Sequence, residues 1–283
     1  MAIDLPLLSQ WLGREEQARD VLTAAPLAGL AATLDRDDPP PQAGDALPPL
    51  AHWLYFLPRH RQSELGPDGH ARRGGFLPPV ALPRRMWAGG RLEFRHSLRV
   101  GEAVVRTSQI VDVRHKSGRS GDLVFVLVRH RIENAAGLAL VEEHDIVYRE
   151  AARPGVEAAA GVPAPADAAW RRDVIPDDVL LFRYSALTFN GHRIHYDRRY
   201  VTAVEAYPGL VVHGPLQATL LLDLLRHALP AATVARFDFR ALRPLFDTAA
   251  FRVCGRPRGD RQVSLWVADG DGFVTVDGTA TLA

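Results

Sequence analysis

The amino-acid sequence predicts an α+β protein made of two copies of one unit, a curved antiparallel sheet wrapped around a helix, with the sheets joined in one chain. Three observations predict it. Four β-rich runs separated by short turns follow one another from Arg91 to Glu150, and four more from Val234 to Ala283; short loops between successive strands make antiparallel meanders. The run LQATLLLDLL ahead of the second meander is apolar on nearly every side, so it needs burial all round. The repeat is also partly literal: Arg91-Leu92-Glu93-Phe94-Arg95 aligns with Arg236-Phe237-Asp238-Phe239-Arg240, and Glu102 with Asp247 at the same offset.

Taken in order, residues 9 to 34 carry apolar side chains at helical spacing, interrupted at Pro26. DRDDPPPQAGDALPP is a turn-rich connector, and LAHWLYFLP is a short helix candidate that stops at Pro58. Arg59 to Gly90 is rich in Gly, Pro and Arg without a sustained period, which reads as a long loop and a candidate lid or ligand flap. The first meander follows, then a linker composition over 151–170. The chain is thus expected to divide into halves at 1–155 and 156–283.

Composition narrows the classes of function. At 283 residues, 47% hydrophobic and 24% charged, the chain can bury a sizeable core, and a formal net charge of +1 argues against a dominant nucleic-acid or membrane footprint. Cys254 is the sole cysteine, which excludes a disulfide and a thiolate cluster. MAIDLPLLSQ has no basic region ahead of an apolar core, and Asp223 interrupts the longest apolar run, so neither a signal peptide nor a membrane span is expected and a cytoplasmic protein is.

The chemistry concentrates between Tyr184 and Arg226, in two polar islands, Asn190 to Asp197 and His213-Gly214-Pro215. Pro215 suits the first helical position, which puts Gly214 at the N-cap with a bare N–H facing outward. Backed by the helix dipole, such an N–H stabilises negative charge on a carbonyl oxygen. Asp197 reads as the N-cap of a helix through RRYVTAVEA. His195 can take and return a proton near neutral pH, while Asn190 can orient a water molecule but not exchange protons. His192 and His195 form an H-x-x-H pair with no third ligand at a familiar spacing, so no metal is expected.

FRYSALTFNGHRIHYD followed by YPGLVVHGPLQATLL resembles the C-terminal half of the MaoC-like acyl-thioester hydratases and dehydratases, and more closely their type 2 single-chain branch, which includes mesaconyl-CoA (3-methylfumaryl-CoA) and itaconyl-CoA hydratases. LPRRMWAGGRLEF, GRSG and DIVYR resemble the branch's first half, so the likeness runs from about Leu50 onward. It implies a double hot-dog fold, with a degenerate first half supplying pocket and lid, and reversible addition of water across an α,β-unsaturated acyl-CoA. His195 falls on the family's catalytic His and Gly214, after the second His (His213), on its oxyanion glycine. Where the family pattern D-x-N-P-x-H has its Asp, this chain has Asn190, and His192 stands in place of the Asn.

The expected mechanism has Gly214 N–H polarising the thioester, Asn190 and His195 holding water over Cβ, and His195 moving the proton. A dicarboxylyl substrate would want an arginine at the far end of its pocket, for which Arg193, Arg84 and Arg85 are the candidates, with His213 as a further substrate contact. No metal or redox cofactor is called for, because CoA is part of the substrate. A duplicated chain already supplies the paired hot dogs that shorter relatives assemble as dimers, so monomer and homodimer both fit. Two other readings share these residues: a 3-hydroxyacyl-thioester dehydratase of fatty-acid metabolism, and a non-catalytic acyl-CoA-binding hot dog.

Overall fold

The structure, a computed structural model, describes residues 3–118, 121–150 and 161–283. The expected boundary at 155/156 and the first half of the expected linker lie outside the described residues. After a one-turn helix α1 (Leu5–Ser9), the helix expected over 9–34 resolves into a strand, β1 (Glu15–Val21), and a helix, α2 (Ala24–Thr33). All seven residues of β1 pair with Ala103 to Gln109 in the long strand Ala103–Gly118, and this pairing outweighs the local helical spacing. Pro26 costs α2 nothing, because in the first turn its missing N–H would have had no intrahelical acceptor. LAHWLYFLP forms only a 3-10 turn (Ala51–Leu54).

The strands of the first meander are β2 (Arg84–Phe94), β3 (Ala103–Gly118), β4 (Gly121–Asn134) and β5 (Gly137–Arg149). β2 thus begins inside the stretch expected to be loop, and β6 (Trp170–Val174) lies at the end of the expected linker. Then come α3 (Asp178–Leu187), α4 (Arg198–Ala203), α5 (Gly214–Ala228), β7 (Val234–Ala241), β8 (Phe251–Arg258), β9 (Gln262–Ala268) and β10 (Val274–Leu282). All ten strands join one antiparallel sheet in the order β1-β3-β4-β5-β2-β7-β10-β9-β8-β6.

The seam between the halves is β2 against β7, and there Leu92 pairs with Phe237, its own counterpart in the matched pentapeptides. The seam is therefore a local twofold. On either side Arg91 faces Asp238 and Glu93 faces Arg236, and Arg236 Nη1 lies 3.0 Å from Glu93 Oε1. The literal repeat in the sequence is the seam itself, where each charge meets the duplicate of its opposite across the strand pair.

Only in the second half does the sheet close on a long helix. α5 packs against β8, β10, β9 and β6, and every residue from Leu216 to Leu225 is buried. Asp223 sits in that core because Arg36 Nη1 (2.9 Å) and Arg172 Nη1 (2.8 Å) take its two carboxylate oxygens. In the first half α2 packs chiefly on α3 and the 3-10 turn, so the expectation of two equivalent sheet-wrapped helices holds for one half. The face of β2–β5 that a helix would cover borders a cavity instead. Among the described residues, no helix is long and apolar enough to cross a membrane.

Candidate active site

The site forms where the loop after α3 meets the start of α5. Phe189 takes a left-handed conformation (φ 48°) and turns the chain, so that Asn190 N donates to Ser185 O (2.8 Å). Asn190 Oδ1 accepts from His192 N at 3.0 Å, an Asx turn that leaves the amide NH2 for the cavity that Asn190 lines. Asp197 caps α4 by accepting from Tyr200 N (2.9 Å), as its place in the sequence predicts. A second loop is docked on this one: Gly69 has φ 87° and a Cβ there would overlap the Gly191 carbonyl oxygen, so only glycine fits. Arg193 N donates to Asp68 O (2.9 Å) across the same contact.

His195 Nδ1 lies 2.6 Å from Val211 O. A carbonyl can only accept, so Nδ1 carries the proton, and Nε2 keeps its lone pair with no partner among the described residues. The ring stacks on His213, centroids 3.8 Å apart and planes 18° from parallel. His213 caps α5, and its Nε2 is bonded to Ser185 Oγ at 2.8 Å. Gly214 is therefore the first residue of the helix and Pro215 the second, one place later than the sequence predicts. The free N–H survives the shift, since the opening turn of any helix has no internal acceptors and none takes Gly214 N from elsewhere among the described residues.

Gly214 has no structural reason to be glycine. Its φ is not left-handed, and a Cβ built on it meets nothing within 4 Å. Gly214→Ala should fold normally, with an unchanged or slightly raised melting temperature. Its thioester turnover should drop about 10²-fold, the scale of a 1 Å misplacement of reacting groups. A variant of full activity would remove residue 214 from the site.

Four imidazoles stand in a column from the docked loop to α5: His70–His192 (centroids 3.9 Å apart), His192–His195 (5.4 Å) and His195–His213 (3.8 Å). Burial, the largest effect at each, disfavours the cation. His195 is lowered to about 4, and His70, His192 and His213 also lie below the usual histidine range. His195 is thus a neutral base at physiological pH. The unfolded chain binds protons at these positions near pH 6.5, while the folded chain resists them. Their contribution to stability is complete above pH 6.5 and is lost as pH falls from there toward 4. A melting temperature flat between pH 7 and 4.5 would show that these rings are solvated.

Asp68 Oδ2 accepts from His70 Nδ1 (2.9 Å); burial works to raise the Asp68 carboxyl, but the hydrogen bonds from His70 outweigh it and hold the acid well below its usual range. The loop spacing gives no sequence signal for this pair. Asp68, His70 and His192 each offer a ligand atom, all within 4.8 Å of one another, which makes them the residues that could hold a metal ion. Asp68 and His70 already satisfy each other, and the H-x-x-H pair of the sequence is not the set that converges.

The structure separates the sequence's other candidates. Arg84 is paired with Glu205 (Nε to Oε2, 3.0 Å), lies over the Tyr207 ring and does not line the cavity. Arg193 reaches the cavity edge, but its guanidinium is held by Asp197 Oδ2 (2.7 Å) and Pro67 O (3.0 Å), so it ties the two loops together. His213 has no exposed surface and stacks on His195; His213, His195 and Gly214 all stand behind the cavity wall, which at this end is made by Ser185, Asn190 and Pro215. Arg85 does line the cavity. Ser185, which lines it and holds His213, was not singled out in the sequence.

The cavity measures about 1040 Å³ and runs from Ser185, Asn190 and Pro215 to the sheet face of the first half. Residues 50–247 match the family described as hydroxyacyl-thioester dehydratase type 2. The chain is 50% identical over 275 residues to mesaconyl-C(4)-CoA hydratase of Chloroflexus aurantiacus, covering 96% of each. It is 29% identical to the mitochondrial hydroxyacyl-thioester dehydratase type 2 of Schizosaccharomyces pombe, over 89% of this chain and 94% of that one. Among solved structures, a MaoC-like dehydratase superposes with a TM-score of 0.71 at 15% identity, over 97% of this chain and 99% of that one. A Mycobacterium tuberculosis protein with a double hot-dog fold gives 0.57 at 13% identity, over 96% of each. Those two likenesses establish the double hot-dog fold.

Proposed function

Because the chain belongs to the hydroxyacyl-thioester dehydratase type 2 family, and is a hydro-lyase, we propose that it adds water reversibly across the double bond of a short α,β-unsaturated dicarboxylyl-CoA such as mesaconyl-CoA. One observation carries the catalytic reading. The Val211 carbonyl fixes the tautomer of His195 so that a neutral, unpartnered Nε2 stands one stacked ring from the start of α5.

The steps follow from these atoms. Gly214 N–H receives the thioester oxygen and favours enolate charge there. Water sits between Asn190 Nδ2 and His195 Nε2. Its oxygen bonds to Cβ as its proton passes to Nε2, the Cα–Cβ π pair moves toward the thioester oxygen, and the imidazolium returns that proton to Cα. With Asn190 unable to exchange protons, His195 serves as base and then acid. The reverse order of steps is dehydration.

The name of the Chloroflexus aurantiacus relative supports the dicarboxylyl substrate. The test follows loss of enoyl-thioester absorbance with mesaconyl-CoA, itaconyl-CoA, crotonyl-CoA and longer trans-2-enoyl-CoAs. Preference for mesaconyl-CoA is expected. Preference for long chains would favour a fatty-acid dehydratase, and an inert panel with tight CoA binding a non-catalytic binding protein. The lone thiol, Cys254, is buried and suits a reducing compartment, so we place the protein in the cytoplasm.

A further inference from the structure

The sheet face of the first half, covered in part by the 3-10 turn and not by a long helix, differs in chemistry from its twin. Because the seam is a local twofold, positions correspond through the strand registers. Phe237, Ala280, Val263 and Pro257 run across the second half, and Leu92, Glu142, His130 and Ser108 across the first. In the adjacent row Phe239, Gly278, Leu265 and Gly255 answer to Phe94, Leu140, Ile132 and Arg106. Small and apolar residues line the half whose sheet closes on α5. The half that faces the cavity carries an arginine, a glutamate and a histidine at the matching places.

Their pairing is uneven. Glu142 is saturated: Oε2 meets His52 Nε2 (2.9 Å), while Oε1 meets Trp53 Nε1 (2.8 Å) and His144 Nε2 (2.5 Å). These donors keep the acid ionised despite its burial. His130 Nδ1 is bonded to Ser108 Oγ at 2.8 Å. Arg106 lacks such partners. It lines the cavity, its Nε is buried without a hydrogen-bond partner, and its guanidinium makes no ion pair among the described residues; its one close contact is the Phe56 ring, 5.1 Å away. Burial works against its charge, and Glu16, Glu142 and Asp20 support it from beyond contact distance. By contrast Arg36, Arg73, Arg84, Arg172 and Arg193 each have an oxygen acceptor within the fold. Arg85 also lines the cavity without an ion pair among the described residues, but it stands beside Tyr148 and His70, so Arg85→Gln is the control that should keep the preference tested below. A half-buried fork of donors left unpaired at a cavity wall is made for an anion that arrives from outside.

The geometry points to Arg106 as the anchor for a free carboxylate at the far end of the acyl group, the role for which the sequence offered Arg193, Arg84 and Arg85. This rests on the hydration reading above for the identity of the ligand, since Asn190 and Pro215 line the same cavity at its other end. The thioester end would lie at Gly214 and the carboxylate end at the vacated sheet face. Loss of the first half's sheet-wrapped helix then serves the substrate, opening the space and exposing the residue that recognises it.

The test separates binding from turnover by using saturated acyl-CoAs that cannot be hydrated. Calorimetric titration of the full chain with succinyl-CoA and with butyryl-CoA compares a free carboxylate with a methyl group at the same chain length. Wild type should bind succinyl-CoA at least about tenfold more tightly, the scale of one charge-assisted contact. Arg106→Gln should erase that preference and leave butyryl-CoA binding unchanged. Arg106→Lys, which keeps the cation without the fork, should retain part of it and covers the case in which the glutamine variant fails to fold. Equal binding of the two ligands by wild type, or a preference that survives Arg106→Gln, overturns the assignment whatever the hydration panel shows. A wild type that prefers succinyl-CoA yet hydrates nothing would instead overturn the catalytic reading and leave the anchor standing.

Discussion

Replacing His195 with Ala lowers hydration of an enoyl thioester by about 10²–10⁴-fold, the range expected when a positioned acid and base is lost. The effect should fall on kcat, with KM changing little, because the ring handles the proton and does not hold the CoA. His195→Gln sharpens the test: the amide can donate to Val211 O as the imidazole does, but it cannot move a proton. If the Gln variant is as inactive as Ala while both melt near the wild-type temperature, the loss belongs to the chemistry. Near-normal activity in either variant would assign the proton to another group, with His70 of the Asp68–His70 pair the next candidate.

Asp223→Ala has the largest expected effect on stability, a loss of about 3–5 kcal/mol in denaturant unfolding. The side chain is 1% exposed, and its oxygens join Arg36, from the segment after α2, to Arg172 of β6. Arg226, on the next turn of α5, approaches to 3.5 Å. Removing the acid leaves Arg36, itself 5% exposed, with Asp38 (Nε to Oδ2, 2.9 Å) as its one remaining carboxylate among the described residues, and strips Arg172 of its partner beside the core helix. Asp223→Asn should be nearly as damaging, since it keeps the volume and discards the charge. A loss below about 1 kcal/mol would mean that the arginines turn out to water at little cost.

Much of this molecule was legible in the chain. Both meanders follow from alternating runs and turn residues, and α5 follows from an apolar stretch with proline in its opening turn. The repeat around Leu92 and Phe237 marked the duplication, and the structure shows that those same residues pair across the seam. His195, Gly214 and Asn190 stood out because a histidine, a helix start and an amide beside an apolar rod suit thioester chemistry.

β1 was missed, because EEQARDV gives no strand signal until the edge of β3 is there to pair with it. Arg106 was missed as well. In the sequence it is one arginine within a strand, and only the register shows that it occupies the place of Gly255 on a face with no helix over it. Arg84 and Arg193 could not be set aside beforehand, since Glu205 and Pro67 meet them through the fold.

The sequence by itself determined the repeated α+β plan, the buried rod and the residues at its entrance, since each rests on a local period or on a motif a few residues long. Tertiary structure decided which half keeps a sheet-wrapped helix, which nitrogen of His195 is free, and which arginines reach the cavity wall without an ion pair. Those are questions of what lies opposite a side chain across a sheet or a loop contact. A one-dimensional pattern carries hydrophobicity and spacing, but it does not say who the partner is.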